Sequence, residues 1–187
     1  MPSSKTSSFR LRPGTADDFE AIDRISITAV RRYDNIPELS NLRNVVGLTR
    51  EKLQQWLDDG KVFVVEDTSK ENEPVGFASA FPKDDVLYVN EVVVDLECQG
   101  KGVGGVLMKA ILDWARDRKK NEGKTSKVSL MTYAEVPWNA PWYRKFGFKE
   151  VDAATVGPKH AEKMKYDREV RDMVKPGYNR CCMLWEE

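Results

Sequence analysis

The sequence predicts one mixed α/β (α+β) domain, in which helices pack on a mixed sheet. Three strand-like segments follow one another at 61–67, 75–82 and 85–95, and only short links separate them. After residue 95 helical segments alternate with strand-like ones to the end of the chain. Hairpin-like succession followed by alternation indicates a mixed sheet rather than a uniformly parallel one.

Periodicity and capping residues place the elements that precede those strands. Residues 9–14 alternate like a short strand that ends in a turn. Thr15 is predicted to cap a helix whose first turn carries two aspartates. A second helix is predicted between its cap, Thr49, and its stop, Gly60. The connection 34–47 contains one proline and is expected to be partly helical.

The segment 85–95 is the longest and most apolar strand pattern, which predicts a central place in the sheet. A helix follows over 106–123, with basic residues near its end and Gly123 as its stop. The remaining elements are, in order, a strand at 127–134, a short helix opened by Asn139, a strand at 148–153, a charged helix at 158–173 and a closing strand at 179–186.

Composition and charge exclude several classes of protein. Apolar residues make up 41% of the chain and charged residues 32%, an ordinary mixture for a soluble globular protein. Thirty basic and thirty acidic side chains cancel, so the basic footprint of a nucleic-acid-binding protein is missing. No apolar run reaches the roughly 18 residues of a membrane helix, and the polar start of the chain holds no signal core. We expect no nucleic-acid or membrane partner, a flexible tail over 1–8, one domain over 9–187, and a cytoplasmic location with the nucleus left open.

The cysteines and the single histidine argue against several catalytic chemistries. Cys98, Cys181 and Cys182 have no metal-binding spacing. Cys181 and Cys182 are adjacent in a strand and point to opposite faces, so they are not expected to bridge each other. We expect a reduced, metal-free protein. His160 lies among charged residues and is predicted to be a solvated surface histidine, which removes Ser-His-Asp, Cys-His and multi-histidine metal sites.

The stretch 99–105, QGKGVGG, places four glycines between a predicted strand and a predicted helix. Such a loop suits the phosphates of a dinucleotide or those of coenzyme A. The letters satisfy the dinucleotide pattern GxGxxG, but in that fold the glycines turn directly off the first strand. Here four residues separate Asp95 from Gly100, and the strand is the fourth in the chain. In the dinucleotide-binding fold an Asp or Glu follows at the end of a second parallel strand, roughly 20 residues after the glycines, and this sequence has no such strand-end acid there. The context therefore argues against a dinucleotide.

A second pattern, Gln/Arg-x-x-Gly-x-Gly/Ala, is met by Gln99, Gly102 and Gly104. With it, the sequence resembles the GNAT superfamily of acetyl-CoA-dependent N-acetyltransferases. The resemblance rests on VDLECQGKGVGGVLM and, about 40 residues later, on NAPWYRKFGFKE, and it covers roughly residues 9–187. It implies a GNAT-like, mostly antiparallel central sheet that is splayed at a V-shaped cofactor cleft, with helices on both faces. It also implies acetyl-CoA, released as CoA, as the co-substrate.

The resemblance implies that main-chain groups hold this co-substrate. Successive N–H groups at a helix start point outward, and the helix dipole favours the diphosphate there. Side chains at Gly102 or Gly104 would keep the diphosphate away from those amides, which explains the glycines of a binding loop. The alternative is that the glycines serve only to form a tight turn. Lys101 either adds a charge toward a phosphate or is solvated. The implied cofactor residues are Val92, Val93, Val94, Gln99, Gly100, Lys101, Gly102, Val103, Gly104, Gly105 and Tyr143.

The resemblance also implies catalytic groups. The Val94 amide would face the thioester oxygen as an oxyanion donor. Tyr143, in WYRKFGF, would protonate the departing thiolate, with aromatic packing as the alternative role. The chain departs from the family in one respect, because many members carry an asparagine where it has Val136. Asn139 is closer to the tyrosine, and we predict that it caps a helix.

The general base is predicted among carboxylates. Glu91 lies on the predicted central strand, where a carboxylate needs a task or a partner, so it is a base or a structural ion-pair partner. Alternation puts Glu91 and Val93 on one face and Asn90 and Val92 on the other, and a bulge, which the sequence does not locate, would shift that phase. Glu135, just after a predicted strand, is the second candidate.

The predicted activity is transfer of an acetyl group from acetyl-CoA to a small primary amine, by direct attack in a ternary complex. The alternatives are a peptide or protein amine as acceptor and a non-catalytic acyl-CoA-binding protein; homodimer formation is open. An acidic and aromatic pocket would suit a cationic amine. The candidates for its lining are Asp34, Glu38, Tyr33, Tyr88 and Trp138.

Overall fold

The computed structural model describes residues 8–44 and 47–187, without the side chains of residues 43 and 44. Seven strands form one sheet in these ranges, in the order β1-β2-β3-β4-β5-β7-β6. They are β1 Phe9–Pro13, β2 Lys61–Asp67, β3 Glu73–Lys83, β4 Val86–Val94, β5 Val128–Tyr133, β6 Lys149–Val151 and β7 Arg180–Trp185. Only β4 and β5 pair in parallel within this sheet. The mixed, mostly antiparallel sheet and the central place of β4 confirm the predicted fold class.

Helices cover both faces of the sheet. They are α1 Phe19–Val30, α2 Arg50–Asp59, α3 Val103–Glu122, α4 Ala140–Arg144, α5 Ala153–Val156 and α6 Pro158–Glu169. The apolar side of α3 packs on one face, and α1 and α2 pack on the other. Shorter 3-10 turns at Arg31–Asn35 and Pro37–Asn44 account for the partly helical connection. In the described ranges, none of the helices combines the length and the hydropathy needed to cross a membrane.

The predicted flexible tail over 1–8 lies outside the described residues except for Ser8. The Ser8 carbonyl accepts hydrogen bonds from the Thr68 amide, at 2.7 Å, and from its hydroxyl, at 2.9 Å. These two bonds join Ser8 to the residue that follows β2.

The parallel pairing of β4 with β5 is short. It joins Leu87 to Val128, Tyr88 to Ser129 and Val89 to Leu130, and it extends no further along the described strands. Beyond Val89 the two strands part, so backbone groups on that side of β4 are left without a strand partner. This opening matches the predicted splay.

A β-bulge lies where the two strands part. On the other side of β4, Ser79 is opposite Glu91 whereas Ala80 is opposite Val89, so Asn90 is the extra residue. The Asn90 side-chain amide donates to the Ser79 hydroxyl at 3.1 Å. Asn90 therefore lies on the same face as Glu91, and the predicted alternation of these two residues is wrong. Its physical reason is the bulge itself.

The prediction that His160 is a solvated surface residue is wrong. His160 is fully buried, and its Nε2 lies 2.7 Å from the Ser129 hydroxyl while its Nδ1 lies 2.6 Å from Asp84. Asp84 also accepts hydrogen bonds from the amides of Lys159 and His160. This network fastens the start of α6 to β5 and to the turn between β3 and β4. It is enclosed and has a structural role.

Burial lowers the pKa of His160 below its usual value, although its hydrogen bond to the Asp84 carboxylate opposes this. As the pH falls, His160 is protonated in the unfolded chain before it is protonated in the folded one. The stability that is present above pH ~6.5 is therefore lost progressively below it. We expect the free energy of unfolding in urea to fall between pH 6.5 and 5, with a limiting slope of about 1.4 kcal/mol per pH unit. His160→Gln should be less stable at pH 7 and should show a shallower slope. An equal slope in both proteins would contradict this assignment.

The adjacent cysteines face opposite sides of the sheet, as predicted. Cys181 packs against the cluster under α3, and Cys182 packs with residues of α5 and α6. All three cysteines carry free thiols.

Candidate active site

An open cavity of about 1120 Å³ lies where β4 and β5 part. Its wall is formed by the end of β4, the glycine loop and α4 on one side, and by α1, the 3-10 turns after it and the end of α6 on the other. The cavity therefore joins the two sequence motifs to a part of the molecule that neither motif describes.

The glycine loop presents main-chain amides to this cavity. Gly100 and Gly102 have φ values of +76° and +94°, which L side chains rarely adopt, and α3 begins directly after Gly102. Within the described chain, no side chain caps α3 and no acceptor takes the amides of Val103, Gly104 and Gly105. Because the positive end of the helix dipole lies at the same place, the loop fits an anion such as a diphosphate.

Space in front of the loop is open as well. A Cβ built at Gly100, Gly102 or Gly105 would meet no atom within 4 Å. A Cβ built at Gly104 would instead lie 3.1 Å from the Trp142 ring and 3.7 Å from Val94. Gly104 thus lets α4 and the end of β4 approach the start of α3.

The exposed edge of β4 presents alternate backbone groups to the cavity. The Asp95 amide donates to the Val75 carbonyl at 2.9 Å, so Asp95 faces β3. The Val94 carbonyl faces the other way, where it accepts a hydrogen bond from the Gln99 side chain at 3.1 Å. Backbone direction alternates along a strand, so the amides of Val94 and Val92 point to the cavity side. Val93 is directed toward β3, opposite Phe77.

The predicted cofactor residues separate into two groups. Five of the seven loop positions line the cavity, together with the end of β4 and Tyr143: Gln99, Gly100, Gly102, Gly104 and Gly105. Lys101 is exposed and does not line it. The Val103 side chain is buried in the core under the loop, so only its amide can face a ligand. The Gln99 side chain donates a hydrogen bond to the Val94 carbonyl of β4. The backbone of Val93 faces β3 rather than the cavity.

Tyr143 lies on α4, which packs against the start of α3. Its ring contacts Trp142 and Phe148, with centroid distances of 4.9 and 5.8 Å. Burial, with smaller contributions from Tyr33 and Glu91, raises the pKa of the Tyr143 hydroxyl. The hydroxyl is therefore protonated at neutral pH, and Tyr143 lines the cavity.

Glu91 lies on the face of β4 that carries Val93, toward α1 and α2, and lines the cavity. Its carboxylate is half-buried and has no hydrogen bond or ion pair with any described residue. Burial raises the pKa of Glu91 to about 7, although the charges of Arg171, Lys163 and Lys52 oppose the change. A carboxylate with this pKa can accept a proton near neutrality.

Glu135 has no place in the cavity. It is exposed, and its two oxygens accept hydrogen bonds from the Asn179 amide at 2.7 Å and from the Asn179 side chain at 2.8 Å. Burial raises the pKa of Glu135, but these hydrogen bonds outweigh it and leave the pKa below its usual value. The structure therefore disfavours the second candidate base.

Asn139 lines the cavity, but its side chain does not cap α4 as predicted. The residue has the N-cap position, and its side-chain amide donates to the Tyr33 hydroxyl at 3.0 Å instead. Val136, where many family members carry asparagine, is fully buried. The Tyr33–Asn139 bond thereby joins α4 to the turn after α1.

Outside the glycine loop the cavity is lined by aromatic side chains and by charges of both signs, with Asp23 and Glu91 as its acidic members. Tyr33, Tyr88 and Trp138 line it as predicted, whereas Asp34 and Glu38 do not. Five basic side chains contribute to the lining instead: Arg32, Lys52, Lys83, Lys163 and Arg171. The two acidic residues that were predicted are absent from the lining, and basic side chains outnumber acidic ones there.

Residues 58–150 match the family model of the acetyltransferase (GNAT) domain. The matched range is about half of the chain and contains Glu91, the glycine loop and Tyr143. The chain belongs to the GNAT superfamily. This result confirms the resemblance seen in the motifs, and with it the class of the protein, an acyltransferase.

Solved structures of other GNAT proteins share the fold over nearly the whole chain. The PaiA N-acetyltransferase from Thermoplasma acidophilum, in complex with coenzyme A, is 15% identical with a TM-score of 0.65, over 96% of this chain and 99% of that one. The ribosomal-protein-alanine N-acetyltransferase from Brucella melitensis is 22% identical with a TM-score of 0.63, over 95% and 99%. A GNAT family acetyltransferase from Elizabethkingia anophelis with acetyl-CoA bound is 16% identical with a TM-score of 0.59, over 97% and 100%. At these identities the likeness concerns the fold.

Sequence reasoning missed several residues of this GNAT cavity. Trp142 was visible in the motif, but its contact with Gly104 depends on how α4 packs. Lys163 and Arg171 come from the charged C-terminal segment, whose sequence carries no motif. No local signal could have placed them in the same cavity as Glu91.

Proposed function

We propose that this protein transfers an acetyl group from acetyl-CoA to a primary amine of a small molecule. The observation that carries the proposal is the single cavity that connects the unpaired amides of α3 with Glu91 and Tyr143. The bound coenzyme A and acetyl-CoA of the two structural neighbours support the choice of co-substrate.

Main-chain groups would hold the co-substrate. The amides of Val103, Gly104 and Gly105 would donate to its diphosphate at the positive end of α3. The Val92 amide would pair with its amide-bearing arm, as an added strand pairs with a sheet edge. Acetyl-CoA supplies the activated acyl group when bound.

Each chemical requirement of the transfer then has a residue. Glu91 takes a proton from the ammonium group of the acceptor, directly or through water, so that the nitrogen can attack. The Val94 amide donates a hydrogen bond to the thioester oxygen as negative charge develops there. The C–N bond forms, the nitrogen releases its second proton to water, and the C–S bond breaks as Tyr143 gives a proton to the departing sulfur. Tyr143 recovers its proton from solvent.

Direct attack is favoured because the cavity lacks an activated nucleophile among its described residues. Cys98 lines the cavity, but burial raises the pKa of its thiol, which keeps it protonated. The one histidine is held by Ser129 and Asp84 outside the cavity. A covalent acyl-enzyme would need a base beside the thiol.

The walls of the acceptor end favour a small molecule over an extended peptide. Side chains of the 3-10 turns after α1 and of α6 line this end, with Tyr33 and Trp138 in edge-to-face contact at 5.6 Å. The proposal is tested by release of the CoA thiol from acetyl-CoA with polyamines, amino acids, aryl amines and peptides as acceptors. Failure of all four classes would overturn the activity, and a preference for peptides would overturn the acceptor class.

Glu91→Gln is expected to lower kcat/KM at pH 7 by roughly 10²-fold, because an amide cannot accept the proton. In the wild type, kcat/KM should rise with pH through an apparent pKa near the value of about 7 that burial gives Glu91. The variant should lack this limb of the pH profile. Glu135→Gln is the matched control, since Glu135 is exposed and outside the cavity. An unchanged limb in Glu91→Gln would exclude Glu91 as the base.

A further inference from the structure

Three basic side chains, here called the basic patch, line the acceptor end of the cavity: Lys83, Lys163 and Arg171. The Lys83 ammonium lies 4.7 Å from the centroid of the Tyr88 ring and 5.8 Å from that of Phe81. Among the described residues no carboxylate comes within ion-pair distance of Lys83. Lys83 is therefore a half-buried cation that lies over two aromatic rings, and both rings line the cavity.

The patch carries more positive charge than the protein around it neutralises. Asp167 is fully buried, and it is shared by Lys163 at 3.0 Å, Arg180 at 3.3 Å and Arg171 at 3.7 Å. One carboxylate therefore pairs with three cations. Lys83 adds a fourth, and the nearby Asp84, whose charge acts on Lys83, is itself bonded to His160. Burial lowers the pKa of both Lys83 and Lys163, and the charge of Lys163 further lowers that of Lys83. An added anion would relieve this repulsion.

The patch is distinct from the place where the diphosphate would bind. Lys83 ends β3, just before β4, and the glycine loop follows the opposite end of β4. The length of β4 corresponds to roughly 27 Å at ~3.3 Å per residue. Glu91 lies between the two ends, about 10 Å along the strand from Tyr88 by the same measure. An anion on the patch would thus be several bonds away from a nitrogen beside Glu91.

We propose that the acceptor is a small amine that also carries an anionic group, a carboxylate or a phosphate, which the basic patch binds while the amine faces Glu91. The proposal rests on the proposed acetyl transfer and specifies its substrate class. It also gives Glu91 a second purpose, because the same carboxylate attracts the ammonium end of such a molecule.

Matched acceptors test this selectivity. Each pair shares one chain and differs in charge: 5-aminopentanoate with 5-aminopentanamide, and phosphoethanolamine with ethanolamine. We expect kcat/KM to be roughly 10- to 100-fold higher for the anionic member of at least one pair, as loss of a charge-assisted contact would predict. The pair with the larger ratio identifies the anion. Equal or better use of both neutral amines would overturn the proposal.

Substitutions then locate the effect. Lys83→Gln and Lys163→Gln should raise KM for the preferred anionic amine by about 10-fold or more, with little change for its neutral partner. Lys149→Gln is the matched control, because Lys149 is exposed on β6 and lies outside the cavity. If Lys83→Gln and Lys163→Gln lower kcat/KM equally for both members of the pair, the patch does not bind the anionic group of the acceptor.

A binding measurement separates this inference from the activity itself. Glutarate and inorganic phosphate carry the two anions without an amine, and either should raise the Tm of the wild type. The rise should be smaller in Lys83→Gln and unchanged in Lys149→Gln. If no amine is acetylated but this difference is seen, the proposed function fails and the anion site stands. Equal anion stabilisation of the wild type and Lys83→Gln would overturn the site, whatever the activity.

Discussion

Gly102→Glu is expected to abolish the stabilisation of the protein by acetyl-CoA. Gly102 has a φ of +94° directly before α3, so any side chain there is strained, and a carboxylate would stand before the free amides. That carboxylate would compete with the diphosphate for the same donors and repel it. In the wild type, acetyl-CoA at about 100 times its Kd should add about 2.7 kcal/mol to the free energy of unfolding. The rise in Tm with acetyl-CoA concentration measures both results.

Gly123→Glu controls for the strain of this substitution. Gly123 lies at the other end of the same helix, also has a positive φ, at +65°, and also faces open space. Both variants should lose roughly 1 kcal/mol or more of stability without ligand. Only Gly102→Glu should lose the response to acetyl-CoA. A full response in Gly102→Glu would show that the loop does not hold the co-substrate.

Tyr143→Phe is expected to lower kcat by roughly 10²-fold, the usual scale of a lost proton donor. Phenylalanine keeps the ring contacts with Trp142 and Phe148 and removes only the hydroxyl, whose raised pKa keeps it protonated. The Tm shift given by acetyl-CoA should therefore stay close to that of the wild type. Steady-state thiol release gives kcat, and thermal unfolding gives the binding response.

A second tyrosine shows whether the effect is specific. Tyr178 packs near Tyr133 outside the cavity, so Tyr178→Phe should leave kcat within about 2-fold of the wild type. A Tyr143→Phe variant with wild-type kcat would remove Tyr143 from the chemistry and return it to aromatic packing. A variant with lost acetyl-CoA response would instead indicate a binding role.

Local signals in the sequence were sufficient for most of the fold. Thr49 accepts a hydrogen bond from the Lys52 amide at the start of α2, and Gly123 ends α3 in the left-handed conformation, as predicted. These features depend on residues within one helical turn, which the sequence displays directly. The predicted strand 61–67 has the observed bounds for the same reason.

Features that depend on distant residues escaped prediction. The bulge at Asn90 is set by the register with β3, which no local pattern records. His160 looked solvated because its sequence neighbours are charged, yet its partner Asp84 comes from a turn 76 residues earlier. Two residues of the basic patch, Lys163 and Arg171, come from α6 and the residues after it, whose sequence shows little amphipathic pattern. The co-substrate end of the cavity was thus predicted from two sequence motifs, whereas no motif predicted the acceptor end.

The unpaired amides at the start of α3 have a consequence for how this protein can diverge. Recognition by main-chain hydrogens tolerates exchange of the surrounding side chains, provided that Gly102 keeps its left-handed conformation. Structural neighbours with only 15–22% of their residues in common with this chain share its fold. Under the proposed substrate class, acceptor choice would depend on side chains such as Lys83, and these could change without any change in the main-chain site for the co-substrate.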